Sequence, residues 1–279
     1  MATPVEIGRR RLGRARRSGE HALRRVSAGS RPLPAFLIIG AQKAGTTSLH
    51  AYLCEHPRVL APATKEVHFF DHEFHRGPRW YRAHFKRGAG GDMLGGEATP
   101  YYLFHPQAPD RAAALLPECR LVVVLRNPID RAFSHHNHER ALGYEQLGFA
   151  AAIEAEPSRL EGEEERLLAD PAYRSFAHQH HSYLSRGRYA GQLERWFEHF
   201  DRDRVLILSA EELFAEPEGV VREAQEFLGL EPLRPADLSA KNARAYAPID
   251  AEARAALRKE FDPHNRRLYG LVGRDFGWD

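Results

Sequence analysis

The sequence predicts one α/β domain built on a parallel sheet, and three observations carry that expectation. The apolar runs LVVVL (121–125) and RVLILS (204–209) read as strands buried on both faces, and FLIIG (36–40) reads as a third. Stretches of helical period lie between them, as in a sheet whose strands are joined by right-handed crossovers. A glycine-bearing turn, GAQKAG, follows FLIIG directly and leads into a helix starting at Thr46.

The remaining elements follow in order. Residues 46–54 form the helix after the turn. A weaker strand signal lies in MLGGEATPYYL, from Met93. Helical patterns cover 106–116, 129–142, 189–200 and 217–228. DAEARAALRKEF and HNRRLYGLVG read as two helices broken around Pro263. Residues 143–186 are polar, acidic in the middle and without a strand, and read as a helical insertion over one edge of the sheet, near the acceptor side of a cleft.

Composition bounds the function. The chain has 279 residues, 43% hydrophobic and 28% charged, enough for one sizeable core. The net charge of +2 argues against a body made for nucleic acid. Basic residues concentrate in RRRLGRARRSGEHALRRVSAGSR, so residues 1–33 are expected to be a disordered or loosely helical tail, and 34–279 a single domain. A nucleic-acid-binding protein acting through that tail is one alternative reading. Cys54 and Cys119 offer neither zinc spacing nor a disulfide framework. No apolar run reaches membrane-spanning length, and no apolar segment follows the basic N-terminus, so a cytoplasmic protein is expected.

The chemistry starts at the turn. A strand, a glycine turn and a helix N-terminus converge backbone N–H groups on one point, which suits an anion. Lys43, Ala44, Gly45, Thr46 and Thr47 form that candidate site. The lysine precedes the last glycine instead of following it, unlike the usual nucleotide loop. The plainer alternative is a strand-to-helix turn that happens to hold a lysine. A nucleotide kinase is a further alternative, but it needs magnesium and an Asp at the end of another strand. The best strand instead runs into LRNPIDRAFSHH. Arg126 there can bind a second anion, with Ser134 one or two turns into the next helix; a structural ion pair is the other reading of Arg126. Two anion sites suit a nucleotide phosphorylated at two separated positions. The 16 histidines include runs at 135–138 and 178–181, neither of which pairs with a carboxylate at a recognisable ligand spacing, so no metal site is expected.

GAQKAGTTSL resembles the 5′-phosphosulfate loop of sulfotransferases that use 3′-phosphoadenosine 5′-phosphosulfate (PAPS), and VVVLRNPIDRAFSHH resembles their 3′-phosphate motif. KEVHFFD (65–71) is similar to the heparan sulfate sulfotransferase branch, and GEATPYYL, RGRYAGQLERWF, VREAQEFLGL and ARAYAPIDAEARAALRKEFDPHN continue the likeness in order. The resemblance implies a P-loop-like three-layer fold with a central parallel sheet flanked by helices, PAPS as sulfuryl donor and no metal. It implies Lys43, Glu66 and His68 as catalytic residues, with Asp71 beside them, and Arg126 and Ser134 on the 3′-phosphate. Arg244 is the remnant of the family's basic 3′-phosphate loop, with Lys241 second. It also places Gly187 near the nucleotide, with Arg186 or Arg188 in reach of the 3′-phosphate. The chain departs from the animal heparan enzymes in having Ala98 where they carry a lysine, and in lacking their C-terminal cysteine pair and membrane anchor. The donor and reaction type therefore carry over, and heparan as acceptor does not. A glycan or small molecule with a hydroxyl or amine remains the expected partner.

Overall fold

Strand β1 (Phe36–Gly40) is the middle strand of a five-stranded sheet. The computed structural model describes residues 24, 28–86, 92–241 and 249–278. The other strands are β2 (Val59–Leu60), β3 (Leu94–Ala98), β4 (Arg120–Leu125) and β5 (Val205–Ser209), in the order β2-β3-β1-β4-β5. Every pairing is parallel. All five residues of β1 are buried, which requires cover on both faces, and helices flank the sheet to give it. Gly96 in β3 lets the Phe36 ring cross the sheet face: a Cβ there would lie 2.0 Å from that ring.

Helix α1 (Thr46–Cys54) follows β1. A short α2 (Gly77–Arg82) precedes β3, and α3 (Ala108–Leu115) links β3 to β4. Asn127 caps α4 (Pro128–Leu142), accepting from the Ile129 N–H at 3.0 Å, with Pro128 at the first helical position. After β5 come α9 (Ala210–Ala215) and α10 (Pro217–Phe227), once the insertion helices α5 (Phe149–Leu160), α6 (Glu163–Ala169) and α7 (Phe176–His180) and helix α8 (Tyr189–Phe197) have been counted.

Two expectations change and one becomes more specific. The C-terminal segment is one helix, α11 (Ala251–Val272), running through Pro263. Leu257 and Phe261 before the proline and Leu268 after it are all buried, so burial on both sides outweighs the ~3 kcal/mol cost of an interior proline. The insertion lies over an edge of the sheet, and that edge is the C-terminal one. Its residues meet Gln42 after β1, Tyr101 after β3 and Glu139 in α4 after β4, so it caps the C-terminal ends of the central strands. The start of the chain grips the body before residue 34: the Arg31 guanidinium donates to the Phe85 carbonyl at 2.8 Å, and Arg82 donates to the Arg31 carbonyl at 2.6 Å. Residues 1–23 and 25–27 of the basic tail lie outside the described residues.

Among the described residues no helix is long and apolar enough to cross a membrane.

Candidate active site

The turn after β1 is shaped by its backbone. Lys43 has φ of 72° and Gly45 φ of 92°, so two residues of the loop sit in the left-handed region. A side chain at Gly45 would also meet the Phe214 ring at 2.8 Å, and glycine answers both demands. Gly45 caps α1 without a side-chain bond, which leaves the N–H groups of the helix start to an anion. Ala44 contributes packing instead: it is buried, and its N–H donates to the Ala41 carbonyl at 3.2 Å.

A cleft of about 690 Å³ opens over this loop. Lys43, Gly45, Thr46, Thr47, Glu66, His68, Arg126 and Ser134 all line it, so the structure gathers residues that span 91 positions from 43 to 134. Arg126 extends from the end of β4, donates to the Lys43 carbonyl at 3.0 Å and lies over the Phe214 ring. Ser134 is on the cleft-facing side of α4. Arg244 lies outside the described residues. Lys241, the second expectation for that loop, lines the cleft, and its backbone N–H donates to Ser48 Oγ at 2.9 Å. Its ammonium is paired with Asp237.

The segment bearing Glu66 and His68 is held from below by a buried carboxylate. Glu97, fully buried in β3, accepts from Tyr81 at 2.6 Å, Tyr102 at 3.0 Å, Thr99 at 2.8 Å and the Val67 N–H at 3.2 Å. Burial pushes its carboxyl up to about 7, with these four donors pulling the other way. The chain leaves Val67, turns through His68 at φ 55° and enters a wide helical turn, Phe69–Glu73. That turn brings Asp71 under His68, with Nδ1 and Oδ2 2.6 Å apart. His68 Nε2 faces Glu66 at 3.6 Å, and Lys65 donates to Glu66 at 2.8 Å.

The electrostatics of this trio are strongly coupled. Burial raises the Glu66 carboxyl, but the His68 hydrogen bond and the Lys65 charge outweigh it and hold it near about 2. Burial opposes charge on His68, yet Asp71 and Glu66 raise it to about 10. At neutral pH the site is therefore a carboxylate beside an imidazolium. His68, Asp71 and His72 also offer ligand atoms within 4.8 Å of one another, a grouping that could hold a cation. Here His68 Nδ1 and Asp71 Oδ2 are engaged with each other, and Asp71 Oδ1 accepts from the His72 N–H at 2.6 Å.

Further residues line the cleft beyond those expected on the anion loops and the Glu66 segment. Glu139 joins the two histidine runs thought to lack a carboxylate: His180 Nδ1 lies 2.9 Å from it and His135 Nε2 3.2 Å. The i, i+4 spacing of His135 and Glu139 was the available signal, whereas His180 reaches across 41 positions and left none. Arg186 reaches the cleft but is buried, donating to Gln42 Oε1 and to the His178 and Gln179 carbonyls, with its guanidinium over the Tyr101 and Phe104 rings. Arg188 points elsewhere and pairs with Glu260 at 2.6 Å. Gly187 is explained by packing, since a Cβ would meet Phe261 at 2.9 Å and Pro128 at 3.0 Å.

Comparison with known proteins bears on the family and the fold. The pattern of the sulfotransferase domain matches residues 33–244. Heparan sulfate glucosamine 3-O-sulfotransferase 3B1 of Mus musculus is 33% identical over 90% of this chain, and the chain spans 66% of that protein's length. The bifunctional heparan sulfate N-deacetylase/N-sulfotransferase 3 of Homo sapiens is 31% identical over 86% of the chain, which spans 30% of it. A crystal structure of a sulfotransferase from Alicyclobacillus acidocaldarius is similar with a TM-score of 0.68 at 30% identity, covering 88% of this chain and 99% of that one.

Proposed function

The chain belongs to the sulfotransferase domain family, and on that premise we propose that it transfers the sulfuryl group of PAPS in line to an acceptor hydroxyl or amine without a metal. One observation supports this most: Lys43 and Glu66 line a single cleft together with Arg126 and Ser134. An anion loop, a second anion site and a carboxylate at one opening match a donor with two phosphate positions and an acceptor that must lose a proton.

The residues then divide the work. The amides at the start of α1, Thr46 and Thr47 hold the 5′ end of the donor, and Arg126 and Ser134 hold the 3′-phosphate. As the acceptor oxygen bonds to sulfur, the bond from sulfur to the phosphate oxygen breaks, and Lys43 stabilises the charge gathering on that leaving oxygen. Glu66 takes the acceptor proton. Its low pKa makes it a weak base, which suffices because the acceptor becomes acidic as its oxygen is sulfated. His68, an imidazolium held by Asp71, orients Glu66 and is not itself the base at neutral pH. Free thiols at Cys54 and Cys119 suit a reducing compartment, and we assign the protein to the cytoplasm.

The test is transfer from radiolabelled PAPS, with release of the 3′,5′-bisphosphate product, in the presence of a chelator. Product release with chelator present supports the reading. Dependence on magnesium, or phosphate transfer from ATP in its place, would overturn it.

A further inference from the structure

The cleft holds a second histidine–carboxylate pair that the proposed sulfuryl transfer does not use. His68 and Asp71 form the first, on the Glu66 segment. The second joins the insertion to α4. His180, at the end of α7, turns Nδ1 to Glu139 Oε2 at 2.9 Å, and both residues line the cleft. Burying a carboxylate is costly unless it is paired, and the Glu139 side chain is only 1% exposed. Behind it, His135 Nε2 lies 3.2 Å from Oε1. Burial opposes charge on Glu139, but the bonds from His135 and His180 prevail and hold its carboxyl down at about 2. Glu139 is therefore a fixed acceptor for the Nδ1–H of His180.

The His180 ring is held on other sides as well. Tyr144 meets it edge to face with ring centroids 4.8 Å apart, and Phe176 lies at 4.5 Å. Its segment is tied to the wall that carries Glu66. Gln179 Oε1 lies 3.1 Å from His72 Nε2, and the His72 ring stacks on His68. One ring nitrogen is left: Nε2 of His180 has no hydrogen-bond partner among the described residues. A carboxylate that fixes one ring nitrogen and leaves the other to a cleft is a common way to aim an imidazole at a ligand.

We propose that His180 is a specificity-determining residue of the acceptor site, and that its Nε2 hydrogen-bonds a second hydroxyl of the acceptor while the reacting hydroxyl or amine meets Glu66. The acceptor class is then a polyhydroxy compound, such as a sugar or a diol. A hydroxyl both donates and accepts, so the contact forms in either charge state of the ring. Glu139 is a positioning residue that holds the imidazole. This inference rests on the sulfuryl-transfer reading.

The experiment uses the full chain, radiolabelled PAPS and two acceptor sets: para-nitrophenyl β-glucoside with its monodeoxy derivatives, and catechol with phenol. In at least one set, removing a hydroxyl other than the sulfated one should lower kcat/KM by about tenfold to a hundredfold. Two variants separate contact with the acceptor from the pairing with Glu139. His180→Asn keeps an amide N–H where Nδ1 stands, so Glu139 stays partnered, and it removes Nε2. His180→Gln brings its amide end to where Nε2 stands and gives up the bond to Glu139. His180→Asn should lose the preference for the extra hydroxyl, and His180→Gln should keep most of it. Product-nucleotide affinity should be unchanged in both, which checks that they fold. Any other order overturns the proposal, including the reverse order expected if His180 served only to neutralise Glu139. Equal kcat/KM values within both sets for the wild type overturn it too, as does transfer to no member of either. In each of these cases intact binding of the bisphosphate nucleotide keeps the failure separate from that of the sulfuryl-transfer reading, which falls if that nucleotide is not bound.

Discussion

The Arg126 guanidinium donates to the Lys43 backbone carbonyl at 3.0 Å, so the two proposed anion sites are physically tied to each other. The bond reaches from the end of β4 to the loop after β1, and it holds the lysine in its left-handed conformation. On the proposed reading Arg126 would have two jobs, binding a phosphate and bracing the loop proposed to bind the other end of the donor.

That double role sets the first expectation. The bisphosphate product nucleotide should bind about tenfold to a hundredfold better than AMP, because a charge-assisted contact contributes roughly 1.5–3 kcal/mol. Arg126→Ala should erase the difference and also weaken AMP, since the loop loses its brace. Calorimetry with both nucleotides measures this. If wild type binds the two equally, Arg126 and Ser134 do not form a 3′-phosphate site.

The Glu66 and Lys43 variants should fail differently. Glu66→Gln keeps shape and removes basicity, so turnover should fall by about 10²–10⁴ with nucleotide affinity intact. Lys43→Ala should lower both turnover and donor affinity. His68→Asn removes the imidazolium that fixes Glu66, so the Glu66 carboxyl should rise from about 2 and the pH profile of kcat/KM should move its acid limb upward. Near wild-type turnover in Glu66→Gln on a true acceptor would take the proton-transfer role away from it.

Parts of this site could be read from the chain, and the limit is physical. LVVVL and FLIIG were legible because strands buried on both faces have no polar alternation to confuse them. β2 is two residues long and too short to leave a pattern. Pro263 misled because proline penalties are local, whereas the burial of Leu257, Phe261 and Leu268 that overrides them is tertiary. Arg126 follows β4 directly and Lys43 lies three residues past the end of β1, so topology alone places them at one sheet edge. Glu139 with His180, and Glu97 with Tyr81, are partners brought together by folding across 41 and 16 positions, and no local spacing encodes them.

Glu97 is the next expectation. Its four donors leave no oxygen free to become an amide nitrogen without facing a donor. Glu97→Gln should therefore lower stability by about 1–3 kcal/mol and loosen Val67, which carries Glu66 and His68 on either side. Denaturant unfolding should show the loss, and turnover should fall with product-nucleotide affinity unchanged. A fully stable, fully active Gln variant would mean that Glu97 is protonated in the fold and serves as a neutral bridge.

Acid stability is the last expectation, and its sign follows from buried neutral imidazoles. Burial, first among the causes, pushes His105 down to about 3 and His50 down to about 4, and carries His135 and His178 well below the ordinary value. For a histidine whose folded value lies below the unfolded ~6.5, protonation favours the unfolded chain. The stability these groups contribute is complete above about pH 6.5 and is lost as pH falls toward the folded values, by about 2 kcal/mol for each such group at pH 5. His68 works in the opposite sense. Its folded value of about 10 gives stability that is complete below about 6.5 and fades as pH rises through about 10. Thermal melts should therefore show a marked drop in Tm between neutral pH and pH 5. His105→Asn separates this cause from general charge repulsion: its side-chain oxygen can replace Nδ1 as acceptor for the Gln107 N–H, and it cannot titrate. That variant should show a shallower fall of Tm with acid, whatever its Tm at neutral pH. An unchanged slope would assign the acid loss to groups other than His105.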